Sequence, residues 1–205
     1  MRLTPVFLLS AMDVAHFPAE AKTGGAPEIA FLGRSNVGKS SLINALLGSR
    51  EAKVSSTPGR TRAINFFALH EGAGEKKKVR PTLIFADLPG YGYAKISKSI
   101  SSEWPKFIEP YLRERETLAL GVCLVDTNIP PQASDTTLIR FFKEMGRPYL
   151  VVGTKADRLS GNALAKSLAA LRREHEVDEV VAVSAKTDEG TKGLWGRLMA
   201  VAESR

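Results

Sequence analysis

The chain has 205 residues, 43% hydrophobic and 25% charged, which suits one globular domain with a full core and excludes a disordered or low-complexity chain. Its single cysteine, Cys123, excludes a disulfide framework and suits a reducing, cytosolic setting, and no run is long and apolar enough to span a bilayer. The net charge of +7 is lopsided: residues 1–100 carry 14 Lys and Arg against 7 Asp and Glu, whereas 101–205 carry 15 of each. A cationic surplus on one half points to a polyanionic partner at that face, with a solubilising surface as the plainer alternative.

In chain order, residues 1–9 have a short apolar core that is soon followed by Asp13, His16 and Glu20, so they read as mature sequence rather than a signal peptide. Residues 6–9 are a candidate edge strand and 22–26 a loop. Residues 29–32 read as a buried strand, and 40–47 as a helix stopped by Gly48. Between them Gly33, Arg34, Ser35, Asn36, Val37, Gly38, Lys39 and Ser40 fit G-x-x-x-x-G-K-[ST], in the strand-then-helix setting that this motif needs. The glycines let backbone N–H groups wrap phosphates, and the helix that follows points its positive end at them. Lys39 is placed to reach the β- and γ-phosphates, and the Ser40 hydroxyl to bind Mg²⁺.

The polar stretch 55–62 follows, of a kind that orders and disorders with the terminal phosphate. Thr61 is the candidate second Mg²⁺ ligand; Thr57 competes for that role, although its place before Pro58 favours an extended turn. Residues 64–70 and 82–86 read as strands joined through a glycine-rich, charged hairpin tip at 71–78. Asp87, Leu88, Pro89 and Gly90 come next. An acidic residue there can hold Mg²⁺ through water, and Gly90 lets its N–H approach a γ-phosphate without a side-chain clash.

Residues 118–125, 149–153 and 180–183 read as further buried parallel strands, with helical patterns near 101–115, 134–145, 161–174 and 190–203. Thr154, Lys155, Ala156 and Asp157 follow the strand at 149–153. A carboxylate such as Asp157 accepts both donors on one edge of guanine, while adenine would present an acceptor to it. The Lys155 stem can lie over the base, and Ser184-Ala185-Lys186 can offer a backbone N–H to the guanine carbonyl. Alternating strands and helices imply an α/β chain: a three-layer sandwich of the P-loop NTPase type, with a mostly parallel six-stranded sheet and one antiparallel edge strand. Ligands in such sheets bind beyond the carboxyl ends of the strands, where all four segments would gather.

The run from Gly33 to Ser40 with Asn36, then Thr57-Pro58-Gly59-Arg60-Thr61 leading to Asn65-Phe66-Phe67, then Asp87-Leu88-Pro89-Gly90-Tyr91-Gly92-Tyr93-Ala94, resembles the EngB (YihA/YsxC) GTPases of the Era–EngA–TrmE class. The resemblance covers the chain from about Phe7 onward. It implies a GTP- and Mg²⁺-binding switch with weak intrinsic GTPase activity, acting in large ribosomal subunit assembly and often described through cell division and septation. It also implies a cytoplasmic monomer that contacts rRNA and no membrane. Residues 1–25 would be an N-terminal extension packed on a GTP-binding domain spanning 26–205.

Carried over residue by residue, GTP would be held by the 33–40 segment; by Gly59, Arg60, Thr61, Arg62 and Ala63; by Asp87, Leu88, Pro89 and Gly90; by Thr154, Lys155, Ala156 and Asp157; and by Val183, Ser184 and Ala185. Ser40 and Thr61 would hold Mg²⁺, and Lys39, Thr61 and Asn36 would serve catalysis. In related GTPases an asparagine at the place of Asn36 binds K⁺, which supplies the charge that an arginine finger gives elsewhere. One departure stands out: after Asp126 the family commonly has an arginine, where this chain has Thr127-Asn128-Ile129-Pro130-Pro131-Gln132.

Tyr91 occupies the place where many signalling GTPases put a water-orienting glutamine, which implies slow hydrolysis helped by potassium or the ribosome. Arg60 and Arg62 are open between a finger in cis and a contact to rRNA phosphate. The stretch 91–98 is open between stacking on splayed bases and packing of its aromatics on the sheet edge. Lys76, Lys77 and Lys78 read as a solvated tip or an rRNA contact. His16, His70 and His175 read as surface or filler, Cys123 as a small buried hydrophobe, and Glu174, Glu176, Asp178 and Glu179 as a solvated cluster. Leu194, Leu198 and Val201 mark a core-packing last helix. Two rival classes stay open: a GTP switch that acts only on proteins, and a metabolic ATP kinase.

Overall fold

The computed structural model describes residues 3–48, 63–72, 80–91 and 106–203. In chain order they form β1 (Leu3–Ala11), the short α1 (Glu20–Thr23), β2 (Glu28–Gly33), α2 (Lys39–Leu47), β3 (Ile64–Glu71), β4 (Leu83–Asp87), α3 (Ile108–Glu114), β5 (Leu118–Asp126), α4 (Ala133–Met145), β6 (Tyr149–Thr154), α5 (Gly161–His175), β7 (Val181–Ala182) and α6 (Thr191–Glu203). The seven strands make one sheet in the order β1-β3-β4-β2-β5-β6-β7.

β2 and β5 form the middle of the sheet, and every residue of both is buried. A strand covered on both faces is apolar wherever no buried partner meets a polar side chain, and that is the reason the runs at 29–32 and 118–125 are continuous rather than alternating, with the paired Glu28 and Asp126 only at the strand ends. Successive residues feed opposite cores. Ile29 and Phe31 join the layer under α2 and α6, together with Phe67, Phe85, Val122, Leu194 and Leu198. Ala30 and Leu32 join the layer under α3, α4 and α5, together with Phe66, Tyr111, Cys123, Ile139, Phe142 and Leu171. The three-layer α/β arrangement is therefore as expected, and every strand read from the sequence is present.

The strand count and the place of the reversed strand differ. The sheet has seven strands, because the N-terminal segment extends from Leu3 to Ala11 and pairs with β3 across a register shift between Phe7 and Leu9. β3 runs antiparallel to both β1 and β4, so the antiparallel strand lies second from the edge and β1 takes the edge itself. Thr4, Pro5 and Ser10 interrupt the apolar pattern of β1 and conceal its length in the sequence.

α4 packs tightly on the sheet at Gly121, where an added Cβ would meet the Phe142 ring at 2.2 Å. Cys123 is buried, and burial pushes its thiol well above the ordinary range. His70 and His175 are buried filler, whereas His16 is exposed and pairs with Asp13 at 3.0 Å. His175 shares a 2.8 Å hydrogen bond with Thr136, joining α5 to α4, and burial lowers its pKa. The acidic cluster is exposed, with Glu179 paired to Arg197. Leu194 and Leu198 are buried as expected, and Trp195 meets Phe85 edge-on at 5.9 Å. Among the described residues no helix is long and apolar enough to cross a membrane.

Candidate functional site

The carboxyl ends of β2, β4, β5, β6 and β7 share one rim, and the loops leaving them meet there. β2 ends at Gly33, and the chain turns over Asn36 and Gly38, whose φ angles of 64° and 105° lie in the left-handed region. That reversal starts α2 at Lys39, so the first-turn N–H groups, which have no partner within a helix, open toward the turn. The helix dipole adds positive potential at the same place.

Two segments brace this turn. From the end of β6, the Thr154 hydroxyl donates to the Val37 carbonyl at 2.6 Å. Lys155 adopts a left-handed backbone, with φ 59°, and its ammonium donates to the Asn36 carbonyl at 2.8 Å and to Asp126 at 2.6 Å. Burial raises the Asp126 carboxyl, but Lys155 and the Asn128 N–H outweigh it and hold the pKa below the usual carboxylate value. Asn128 also donates its amide to the Lys155 carbonyl at 3.0 Å, and the buried Thr127 hydroxyl donates to the Thr154 carbonyl at 2.9 Å. Asp126, Thr127 and Asn128 thus tie the end of β5 to the Thr154 segment.

On the other side, β4 ends at Asp87, opposite Phe31 in the parallel register. The Asp87 carboxylate is ion-paired with the Lys39 ammonium, and the two side chains are 7% and 11% exposed. Leu88 continues the strand pairing through its N–H to the Phe31 carbonyl at 3.2 Å. Gly90 then passes so close to the turn that an added Cβ would lie 2.8 Å from the Ser35 hydroxyl and 3.1 Å from its N. A side chain at this position would crowd Ser35, whereas glycine permits the approach. The Ser35 N–H donates to the Tyr91 carbonyl at 3.0 Å, so the Asp87 segment is stitched to the turn.

Asp157 sits in a short helical turn, Ala156–Arg158, directly after Lys155. The Ser184 hydroxyl donates to Asp157 Oδ1 at 2.7 Å and accepts from the N–H groups of Lys186 and Thr187 at 3.2 and 3.1 Å. The Ala156 N–H donates to the Val183 carbonyl at 3.1 Å and fixes the two loops together. Gly38, Lys155, Asp157, Arg158, Val183 and Ala185 line one cavity of about 260 Å³. The glycine turn and the carboxylate therefore face the same hollow.

Of the positions expected from the sequence, the structure gathers the 33–40, 87–90, 154–157 and 183–185 groups on this rim, while Ala63 lies half-buried just before β3. Thr57, Gly59, Arg60, Thr61, Arg62, Lys76, Lys77, Lys78 and the stretch 92–98 lie outside the described residues. Tyr91 is described, and for it the packing reading holds: its side chain is 2% exposed, and its hydroxyl donates to Asp135 at 3.0 Å. Sequence reasoning missed Asp126 and Asp135 as parts of this region. Asp126 had a detectable signal, an acidic residue closing a buried strand on the binding rim. Asp135 had none, since an acid in a first helical turn is ordinarily solvated.

Residues 28–155 match the 50S ribosome-binding GTPase family, from the start of β2 through the phosphate loop to Lys155. The Acidobacterium capsulatum protein named "Probable GTP-binding protein EngB" is 62% identical over 202 residues, covering 98% of this chain and 92% of that one. Among solved structures, a protein titled a probable GTP-binding protein engB superposes with a TM-score of 0.64 at 24% identity, over 87% of this chain and all of that one. Era in complex with MgGDPNP and nucleotides 1506–1542 of 16S ribosomal RNA superposes with a TM-score of 0.65 at 23% identity, over 86% of this chain and 56% of that one. The two superpositions speak for the fold, and the 62% identity along nearly the full length speaks for kinship: this chain belongs to the EngB family of GTP-binding proteins, GTPases with the P-loop fold.

Proposed function

We propose that this chain is a GTP- and Mg²⁺-dependent switch, cytoplasmic and monomeric, that acts in large ribosomal subunit assembly and so supports normal cell division and septation. The observation that carries the reading is the hollow shared by Gly38 and Asp157, which suits a guanine at one end and phosphates at the other. The 50S ribosome-binding description of the matched family and the cationic surplus of residues 1–100 support an rRNA partner. The Era structure, which holds MgGDPNP and an rRNA segment, offers a parallel for the same fold.

In this reading Asp157 accepts the guanine N1–H and amino group, and Ser184 holds the carboxylate in the required plane. Lys155 lays its stem along the base while its ammonium stays anchored on Asn36 and Asp126. Lys39 leaves Asp87 for the β- and γ-phosphates, and Gly90 offers its N–H to the γ-phosphate. The Lys39–Asp87 pair supports a metal with a phosphate as the ligand: a cation and an anion stand side by side at the helix start, each of which would exchange the other for a ligand of opposite charge. Ser40, Thr61 and, through water, Asp87 would hold Mg²⁺. When bound, the metal supplies positive charge at the phosphate oxygens.

Hydrolysis is slow in this reading, because the Tyr91 side chain is committed to the core and cannot orient the attacking water. Asn36, exposed at the crest of the turn, would hold K⁺ beside the phosphates. A single-turnover assay should give hydrolysis at least about tenfold faster in potassium than in sodium. Fast hydrolysis that is indifferent to the cation would remove this part of the mechanism. The test of the whole function is co-sedimentation with large-subunit particles: binding is expected with a GTP analogue, weaker with GDP, and falling steeply with added salt. Nucleotide-independent failure to co-sediment would instead favour a switch acting on protein partners.

A further inference from the structure

We propose that Asp135 is a positioning residue for the terminal-phosphate sensor: its buried carboxylate joins Arg34 of the phosphate loop to Tyr91, the residue after Gly90, so that the two backbone walls of the phosphate pocket keep a set spacing. The proposal rests on the nucleotide-site reading above and adds a residue that none of the four motif segments contains.

The geometry is specific. Asp135 lies in the first turn of α4 and is 2% exposed. Arg34 Nε donates to both of its oxygens, at 3.1 and 3.2 Å, and the Tyr91 hydroxyl donates to Oδ1 at 3.0 Å. Burial raises the Asp135 carboxyl above the ordinary carboxylate value, and the Arg34 guanidinium and the Tyr91 hydroxyl offset only part of that rise. Cys123 also faces this cluster, and its thiol is kept neutral by burial.

The same two residues meet a second time through their backbones. Arg34 and Tyr91 form a parallel bridge, and the Ser35 N–H donates to the Tyr91 carbonyl at 3.0 Å. Gly90, the residue before Tyr91, runs close enough to the turn that an added Cβ would meet Ser35. An N–H that must find a γ-phosphate to within a few tenths of an ångström needs both its neighbours held. Asp135 holds one neighbour directly and the opposing loop with the same carboxylate. Loss of that charge would relax the spacing, and the cost would fall on the ligand that carries a γ-phosphate.

The experiment compares wild type, Asp135→Asn and Tyr91→Phe for affinity to GDP and to a non-hydrolysable GTP analogue, for kcat and KM, and for thermal midpoint. The expected result is GDP affinity within about threefold of wild type, analogue affinity down about tenfold, and kcat down by a similar factor for Asp135→Asn. Tyr91→Phe, which removes one oxygen and leaves the Arg34 pair, should show the same selective loss to a smaller degree. It carries the test if the Asn variant does not fold. A merely structural role would lower the midpoint and leave the analogue-to-GDP ratio and kcat at wild-type values, and that outcome overturns the proposal. Failure of wild type to bind any guanine nucleotide overturns the underlying site reading and this proposal with it, whereas wild-type binding with an unchanged ratio in the variants overturns this proposal alone.

Discussion

Asp157→Asn is expected to lower GTP affinity about 100-fold while raising affinity for xanthosine triphosphate by a comparable factor. The carboxylate offers two acceptors, which match the N1–H and amino donors of guanine in a charge-assisted pair worth about 3 kcal/mol. An amide offers one acceptor and one donor. Ser184 donates to Oδ1 at 2.7 Å, so the amide oxygen stays on that side and the NH₂ turns to the base. Xanthine carries a carbonyl where guanine carries its amino group, and it accepts from that NH₂. Isothermal titration with GTP, ATP and xanthosine triphosphate against both proteins measures the exchange. Equal heats from GTP and ATP in wild type, or no gain for xanthosine triphosphate in the variant, would show that Asp157 does not read the base.

Glu28→Gln is expected to cost about 3–5 kcal/mol of stability, a fall of roughly 7–12 °C in thermal midpoint for a chain of this size, with guanine-nucleotide affinity changed less than about twofold. Glu28 is fully buried at the start of β2. Its Oε1 accepts from Arg115 Nη2 at 2.5 Å, Arg115 Nε at 3.0 Å and Thr117 at 2.8 Å, and its Oε2 accepts from Tyr111 at 2.9 Å. Arg115 also donates to the Pro18 carbonyl at 2.7 Å, so one carboxylate joins α3, the start of β5 and the N-terminal segment to the central strand. An uncharged amide leaves Arg115 only 18% exposed and without a counter-ion, and the amide NH₂ opposes one of the donors it replaces. Gly33 lies five residues along β2, roughly 16 Å away, which is why binding should be spared. Calorimetric melts beside nucleotide titrations separate the two effects. A midpoint within about 2 °C of wild type would show that the cluster contributes little.

The elements most legible in the sequence were those whose cause is local. Residues 118–125 announce a central strand because burial on both faces demands apolar side chains throughout, and β5 spans Leu118–Asp126. Gly48 ends α2 in a left-handed turn because glycine meets no Cβ penalty there. The helix over 134–145 follows from its apolar spacing, and α4 covers Ala133–Met145. β1 was legible only at 6–9. An edge strand is covered on one side, tolerates Pro5 and polar residues, and so carries a diluted pattern.

The same division runs through the site. Order and spacing along the chain were enough to bring a glycine turn, an acid after a strand and a Thr-Lys-x-Asp segment to one rim, because each motif is built on its own strand and parallel strands point their ends the same way. Nothing local says which charge meets which. Lys39 and Asp87 are 48 residues apart, Thr154 and Val37 are 117 apart, and Arg34 and Asp135 are 101 apart. Those partnerships depend on distance and burial, which exist only once the sheet has closed and removed water from between the loops. Ligand class was therefore written in short runs of residues, while the pairing of buried charges that steadies them came from tertiary packing alone.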